Sequence, residues 1–335
     1  MYKCLKTLSI FVVLSLKVAF SLMPDPKTSI FQTPFSDESV LSGFVQPGYL
    51  FDNRLSLSEF TVNEAALKYS FKKHYFHFYA DLAVGYNHYL RNFDGEVALS
   101  ADNSEYFFSL SKESGLTLKI GRFSREWGVD FLNASEKTMP FYTLAQQLKI
   151  YPDSMLGFSI GSELYRVLAF DFGVSLHRGK ETSDISLDNI DFWLNLFIHN
   201  NVLKTVLTSY IYNNPNSSNI GYMVNLSLSS LLNKYFLKSE FFLQKDSGVV
   251  ALEQVGAFLE FGYLFSKASK DSVSIRGEYV DDVNNVLLQN MWKLSIAGNL
   301  SVSDKLRLSA QYSFTDGNQG FLASNSLFIA ALYSF

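Results

Sequence analysis

Long runs of strict apolar–polar alternation constrain this chain more than any other feature. Phe76, Phe78, Ala80, Leu82, Val84 and Tyr86 alternate with His77, Tyr79, Asp81, Ala83 and Gly85. Leu306, Leu308, Ala310, Tyr312 and Phe314 alternate with Arg307, Ser309, Gln311, Ser313 and Thr315. Comparable runs cover 168–176, 220–228 and 255–265. Period two places successive side chains on opposite faces of a strand. Strands of water-soluble sheets usually stop after ~5–6 residues. These runs reach ten and more, the length that lets a tilted strand cross a bilayer. Their polar faces carry small and charged groups suited to water. In hydrocarbon, a sheet must close so that no backbone group stays unpaired. The expected fold class is therefore all-β, a transmembrane antiparallel β-barrel.

Strands are predicted near 44–51, 61–72, 75–89, 104–111, 115–123, 155–163, 165–177, 188–199, 202–212, 219–230, 234–244, 251–266, 271–280, 289–302, 305–315 and 324–335. Sixteen strands result, and the boundaries admit fourteen to eighteen. Tight connections (73–74, 112–114, 162–163, 200–201, 231–233, 267–270, 303–304) alternate with longer ones, of which 124–154 is the longest. Short periplasmic turns and long outer loops are the asymmetry of an outer-membrane barrel. An even strand count puts both chain ends on the periplasmic side.

Composition excludes several other classes. The 47% hydrophobic and 18% charged fractions would suit a soluble enzyme, but 31 Phe and 19 Tyr would not. Such aromatic content excludes disorder. A net charge of −4 excludes a basic nucleic-acid binder. Residues 1–21 read as a signal peptide: Lys3 and Lys6 precede an apolar run over 8–16, and Ala19-Phe20-Ser21 supplies small residues for cleavage. Cleavage near Ser21 removes three Lys from 28 bases, leaving 25 against 32 acids and a net charge of −7. It also removes Cys4, the sole cysteine, so no disulfide is expected. Residues 22–43 read as an extended periplasmic lead-in, and 44–335 as a single barrel domain.

The final segment, SNSLFIAALYSF, places Leu327, Ile329, Ala331, Tyr333 and Phe335 on one face. A terminal Phe335 with Tyr333 two residues earlier resembles the C-terminal assembly signal of bacterial outer-membrane barrel proteins. That resemblance implies recognition by the barrel-assembly machinery and residence in outer-membrane lipid. The strand order, with its longest connection after the fifth strand, resembles the general porins. In those sixteen-stranded barrels the third outer loop, between strands five and six, folds into the pore. The Phe-, Ser-, Leu- and Asn-rich composition looks like spirochaetal chains, and the size is similar to the dicarboxylate-selective porins of that group. The resemblance implies a passive channel for small hydrophilic solutes, anionic and dicarboxylate-like ones included, and association into homotrimers. No catalysis, cofactor or metal is expected, since the residues show no catalytic constellation and no metal-ligand spacing.

Inward parity nominates the pore lining. Bases on that face are Lys68, Lys119, Arg276, Lys293 and Arg307, together with Lys238. Acids are Asp81, Asp171, Glu260 and Glu278, with Glu64, Asp191 and Glu240. Opposed bases and acids set a transverse field that selects ions, or they pair across strands and cancel. The long loop opens with Gly121-Arg122-Phe123-Ser124-Arg125-Glu126-Trp127-Gly128. Arg125 is expected at the constriction. Arg122 shares the outward parity of Leu116, Leu118 and Ile120, so it joins the constriction only if Gly121 forms a bulge. Isolated His residues such as His88, and His177 near Asp171, lack the partners a hydrolytic site needs. The competing reading is a surface adhesin or receptor barrel, whose polar outer loops would bind other molecules with little channel activity.

Overall fold

The computed structural model describes residues 35–53, 57–86, 99–100, 105–111, 115–123, 143–144, 155–165, 168–178, 185–199, 202–213, 220–247, 251–265, 271–282, 290–317 and 324–334. Residues 1–21, Arg125, most of 124–154 and Phe335 lie outside these. The strands are β1 (Phe35–Asp52), β2 (Leu57–His74), β3 (Phe76–Tyr86), β4 (Leu99–Ser100), β5 (Glu105–Ser111), β6 (Leu116–Phe123), β7 (Met155–Tyr165) and β8 (Leu168–Arg178). They continue as β9 (Ile185–His199), β10 (Leu203–Asn213), β11 (Ile220–Leu232), β12 (Tyr235–Ser247), β13 (Ala251–Leu264), β14 (Ser272–Asp282), β15 (Met291–Ser301), β16 (Leu306–Gly317) and β17 (Ser324–Ser334).

Each strand pairs antiparallel with its sequence neighbours, and β1 pairs with both β2 and β17, which closes the sheet. The two-residue β4 lies ahead of β5 against β3, so the wall is sixteen strands around. Closure follows from the chain's apolar outer face: an open edge there would leave a row of unpaired amides against lipid. Tight turns gather at one end of the barrel and longer connections at the other. Two turn residues take positive φ, His74 at 53° and Asn233 at 56°. Asn tolerates the left-handed region because its short side chain bonds locally.

Among the strand boundaries that differ from the sequence expectation, three change how the wall is built. β1 begins at Phe35, not 44, because residues 38–43 pair one for one with 67–72 although their apolar pattern is irregular. Part of the expected lead-in is thus wall. β2 begins at Leu57, where Asp52 already faces it across the first hairpin. β7 runs through the expected turn at Ser162-Glu163 to Tyr165, with a register shift between Glu163 and Tyr165 carrying the extra length.

Outward side chains form the apolar belt, and aromatic rings mark its two rims. At the turn end Tyr235 stacks on Phe261 and meets Tyr263, which meets Phe265. On the same rim Phe76 and Phe78 both contact Phe108. At the loop end Trp292 lies 5.0 Å from Phe314. Amphipathic rings settle at the two levels where lipid meets water.

Inward-facing rings rest on glycines. Trp193 lies across from Gly173, Tyr212 from Gly221, Phe242 from Gly256 and Phe236 from Gly262. A Cβ on Gly256 would stand 2.2 Å from the Phe242 ring, and one on Gly262 2.1 Å from Phe236. The missing side chains let each ring lie flat along the wall. Gly256→Val is therefore expected to cost about 1–3 kcal/mol by overpacking. A lowered urea midpoint for the barrel in detergent checks this, and an unchanged midpoint would show that Phe242 swings aside freely.

Candidate functional site in the lumen

The inward faces divide into two unlike walls. On β12 to β15 the inward charges form a neutral checkerboard. One rung reads Lys238, Glu260, Arg276, Ser295, and the next Glu240, Phe258, Glu278, Lys293. Arg276 Nε stands 3.4 Å from Glu260 Oε2, with both side chains fully buried. Lys293 Nζ stands 3.7 Å from Glu278 Oε1. Asn225 donates to Glu240 at 3.0 Å. Three bases and three acids thus cancel across these two rungs, and all six are nearly inaccessible. Ordered placement of opposite charges on adjacent strands pairs ions that would be costly to bury alone.

Glu278 has a second task. Its Oε2 accepts the backbone N–H of Leu144 at 2.5 Å, across 134 residues of chain. Leu144 itself is buried in a cluster with Phe123, Trp193, Tyr210, Tyr212, Met223, Phe242, Val280 and Met291. These side chains come from β6, β9 to β12, β14 and β15, and all point inward. Leu144 belongs to the long 124–154 connection, and its position is inside the barrel. The cluster sits toward the loop end, where those strands begin or finish.

The opposite wall, on β2, β3, β5 and β6, keeps exposed inward groups. Lys68, Lys72, His77, Tyr79, Phe107 and Lys119 are all partly accessible. Lys72, His77, Ser109, Lys119 and Ser159 share one rung, on which Glu38 of β1 faces Lys72 while Lys119 lies between two serines. Three interstrand steps separate the two lysines, or about 14 Å between backbones. Lys119 Nζ lies 4.7 Å from the Phe107 ring centre and 5.1 Å from that of Phe123. Tyr79 stacks on Phe107 at 5.2 Å, and His77 meets the same ring edge-on.

The remaining candidates fall as follows. Lys68 faces Asp81 at 3.8 Å, and Asp81 also accepts from the Tyr79 hydroxyl. Asp171 accepts the Trp193 indole N–H at 3.1 Å, and Asp191 accepts the Tyr210 hydroxyl at 2.6 Å. Arg307 faces inward but stands second from the turn end of β16, beside Ser301 and Leu332, well away from Leu144. Arg122 pairs with Tyr106 and Leu156 on the outward side. The bulge that would turn it inward does not form, because the β5–β6 and β6–β7 registers run unbroken through Gly121. Gly121 instead takes φ 134°, and a Cβ there would meet Tyr106 O at 2.3 Å. Tyr333 lies outward on β17, beside Val45 and Leu306.

Sequence parity did not foresee the apolar inward set. Phe236 and Phe242 share parity with Lys238 and Glu240, and Phe328, Ala330 and Leu332 with Ser324 and Ser326. Following parity strictly through each polar stretch would have found them. Phe328 is 1% exposed and packs across from Leu50 on the closing seam.

The fold is similar to those of known outer-membrane proteins. An anion-selective porin from Comamonas acidovorans superposes with a TM-score of 0.63 and 12% identity, covering 90% of this chain and 100% of that one. The outer membrane channel DcaP of Acinetobacter baumannii gives 0.60 and 10% identity over 92% of this chain and 100% of that one. OmpT, an outer membrane protein of Vibrio cholerae, in its trimer form gives 0.61 and 8% identity over 90% and 100%. No family model matches the chain, and no curated protein matches it in sequence. At these identities the likeness is one of fold.

Proposed function

We propose that this barrel is an outer-membrane porin, a passive diffusion channel for small hydrophilic solutes. The observation that carries the reading is the closed sixteen-stranded wall, apolar outside and polar inside. Such a wall is stable in lipid while enclosing groups that need water. Export by the 1–21 signal peptide, insertion through the Tyr333–Phe335 end and assembly as a trimer belong to the same proposal. The inward position of Leu144 supports a loop 124–154, Arg125 included, that folds into the lumen and narrows it.

The reading extends to a preference for anions, dicarboxylates among them. The checkerboard on β12 to β15 carries no net charge, so the partly exposed wall sets the bias. Lys119, which has Ser109 and Ser159 and no carboxylate beside it on its rung, supplies positive potential there. Single-channel recording in planar bilayers tests both levels. Discrete conductance steps are expected, and their absence from folded protein would favour the surface-binding alternative. Lys119→Glu is expected to shift the zero-current potential in a KCl gradient toward cations, changing the permeability ratio several-fold. Arg122→Glu, on the outward face, is expected to leave that potential unchanged.

A further inference from the structure

We infer that the partly exposed lumen wall holds a subsite for small planar organic anions, aromatic carboxylates being the class it fits. This rests on the channel reading and names a solute that the same lumen would retain. Phe107, on β5, is flanked by Tyr79 stacked on one side and Lys119 over it at 4.7 Å. Lys119 also reaches the Phe123 ring, which in turn meets Trp193 edge-on at 6.1 Å. Tyr79, Phe107 and the Lys119 ammonium thus form a partly accessible strip across β3, β5 and β6, backed by the buried Phe123 and Trp193. Beyond Phe107, its rung continues through Gly121 and Gly157, two positions without side chains. The rings are therefore not walled off along the rung by neighbouring side chains.

A carboxylate can bond the Lys119 ammonium while its flat body lies against Phe107 and Tyr79. Each half of that ligand matches one half of the strip: charge meets charge, and ring meets ring edge or face. A small carboxylate without a ring satisfies only the lysine. A neutral ring satisfies only the aromatics. Hydrated inorganic anions lose water at Lys119 without gaining apolar contact.

Ligand-observed NMR titration of the full-length barrel in detergent, with benzoate, acetate and benzyl alcohol as probes, tests this without needing conductance. Benzoate is expected to bind most tightly of the three. Lys119→Gln and Phe107→Ala are each expected to weaken benzoate by about tenfold, the scale of one cation–ring or ion-pair contact. Lys119→Arg is expected to retain binding. Heat-dependent gel mobility confirms that each variant is folded, and Phe107→Leu supplies a better-packed variant that still removes the ring. Equal binding of acetate and benzoate, or benzoate affinity unchanged in Phe107→Leu and Lys119→Gln, would overturn the subsite. Failure of the channel reading shows differently, as folded wild-type protein that binds benzoate but gives no conductance steps.

Discussion

Glu260→Leu is expected to destabilise the folded barrel by about 3–5 kcal/mol, the cost of stranding a buried charge whose partner is removed. Arg276 and Glu260 are each inaccessible to solvent, and Lys238 faces Glu260 from the other side. Removing the carboxylate leaves two bases adjacent with nothing between them. The cost is lost if the cation goes too, so Glu260→Leu combined with Arg276→Met is expected to recover most of the stability. Urea-dependent unfolding followed by tryptophan fluorescence measures both. A single variant as stable as the parent would mean that water reaches Arg276 in solution. A double variant no better than the single would mean that packing, not charge, holds this wall.

The next largest effect is expected on the other face. Ile296 occupies the centre of β15, points outward and is half exposed without lipid. Ile296→Arg is expected to cost about 2–4 kcal/mol, the penalty for a base on the lipid face near the bilayer midplane. Ile296→Leu is expected to cost nearly nothing. Refolding yield against urea in lipid vesicles reads the difference. Equal stability of the two variants would place Ile296 near an interface or against a protein neighbour instead of hydrocarbon. Together with Glu260→Leu, the experiment separates the two solvents that meet across one wall.

Much of the wall was legible because period two is a local signal. Leu306 to Thr315 alternates without error, and from Leu308 to Ser313 exposed and buried side chains follow that alternation residue by residue. A turn was legible where a polar pair interrupts the pattern, as at Ser303-Asp304. The first strand was cut short at residue 44 because the pairing of 38–43 with 67–72 comes from hairpin extension, which leaves no alternation to read. Arg122 keeps the outward side of its parity, and only the register of β6 against both neighbours excludes the bulge that would turn it inward.

The lumen was less legible. Parity nominated Arg276, Glu260, Lys293 and Glu278 as lining residues, but it could not say that they would meet in pairs and be buried. Nor could it say that Lys119 would lie among rings. Those facts depend on which strands stand side by side and at what register, and a strand's own sequence does not encode its neighbour's offset.

By itself, then, the sequence determined a chain of long two-faced strands, with one face for lipid and one for water. The reason is that hydrophobic periodicity acts within each strand. Tertiary structure alone decided the closing seam between β1 and β17, the neutral checkerboard on one wall, the seat of Leu144 against the inward cluster and the lysine–aromatic strip on the other. Each of those is a contact between residues far apart in the chain. It exists only when backbone hydrogen bonding has set every strand at one register around a closed circumference.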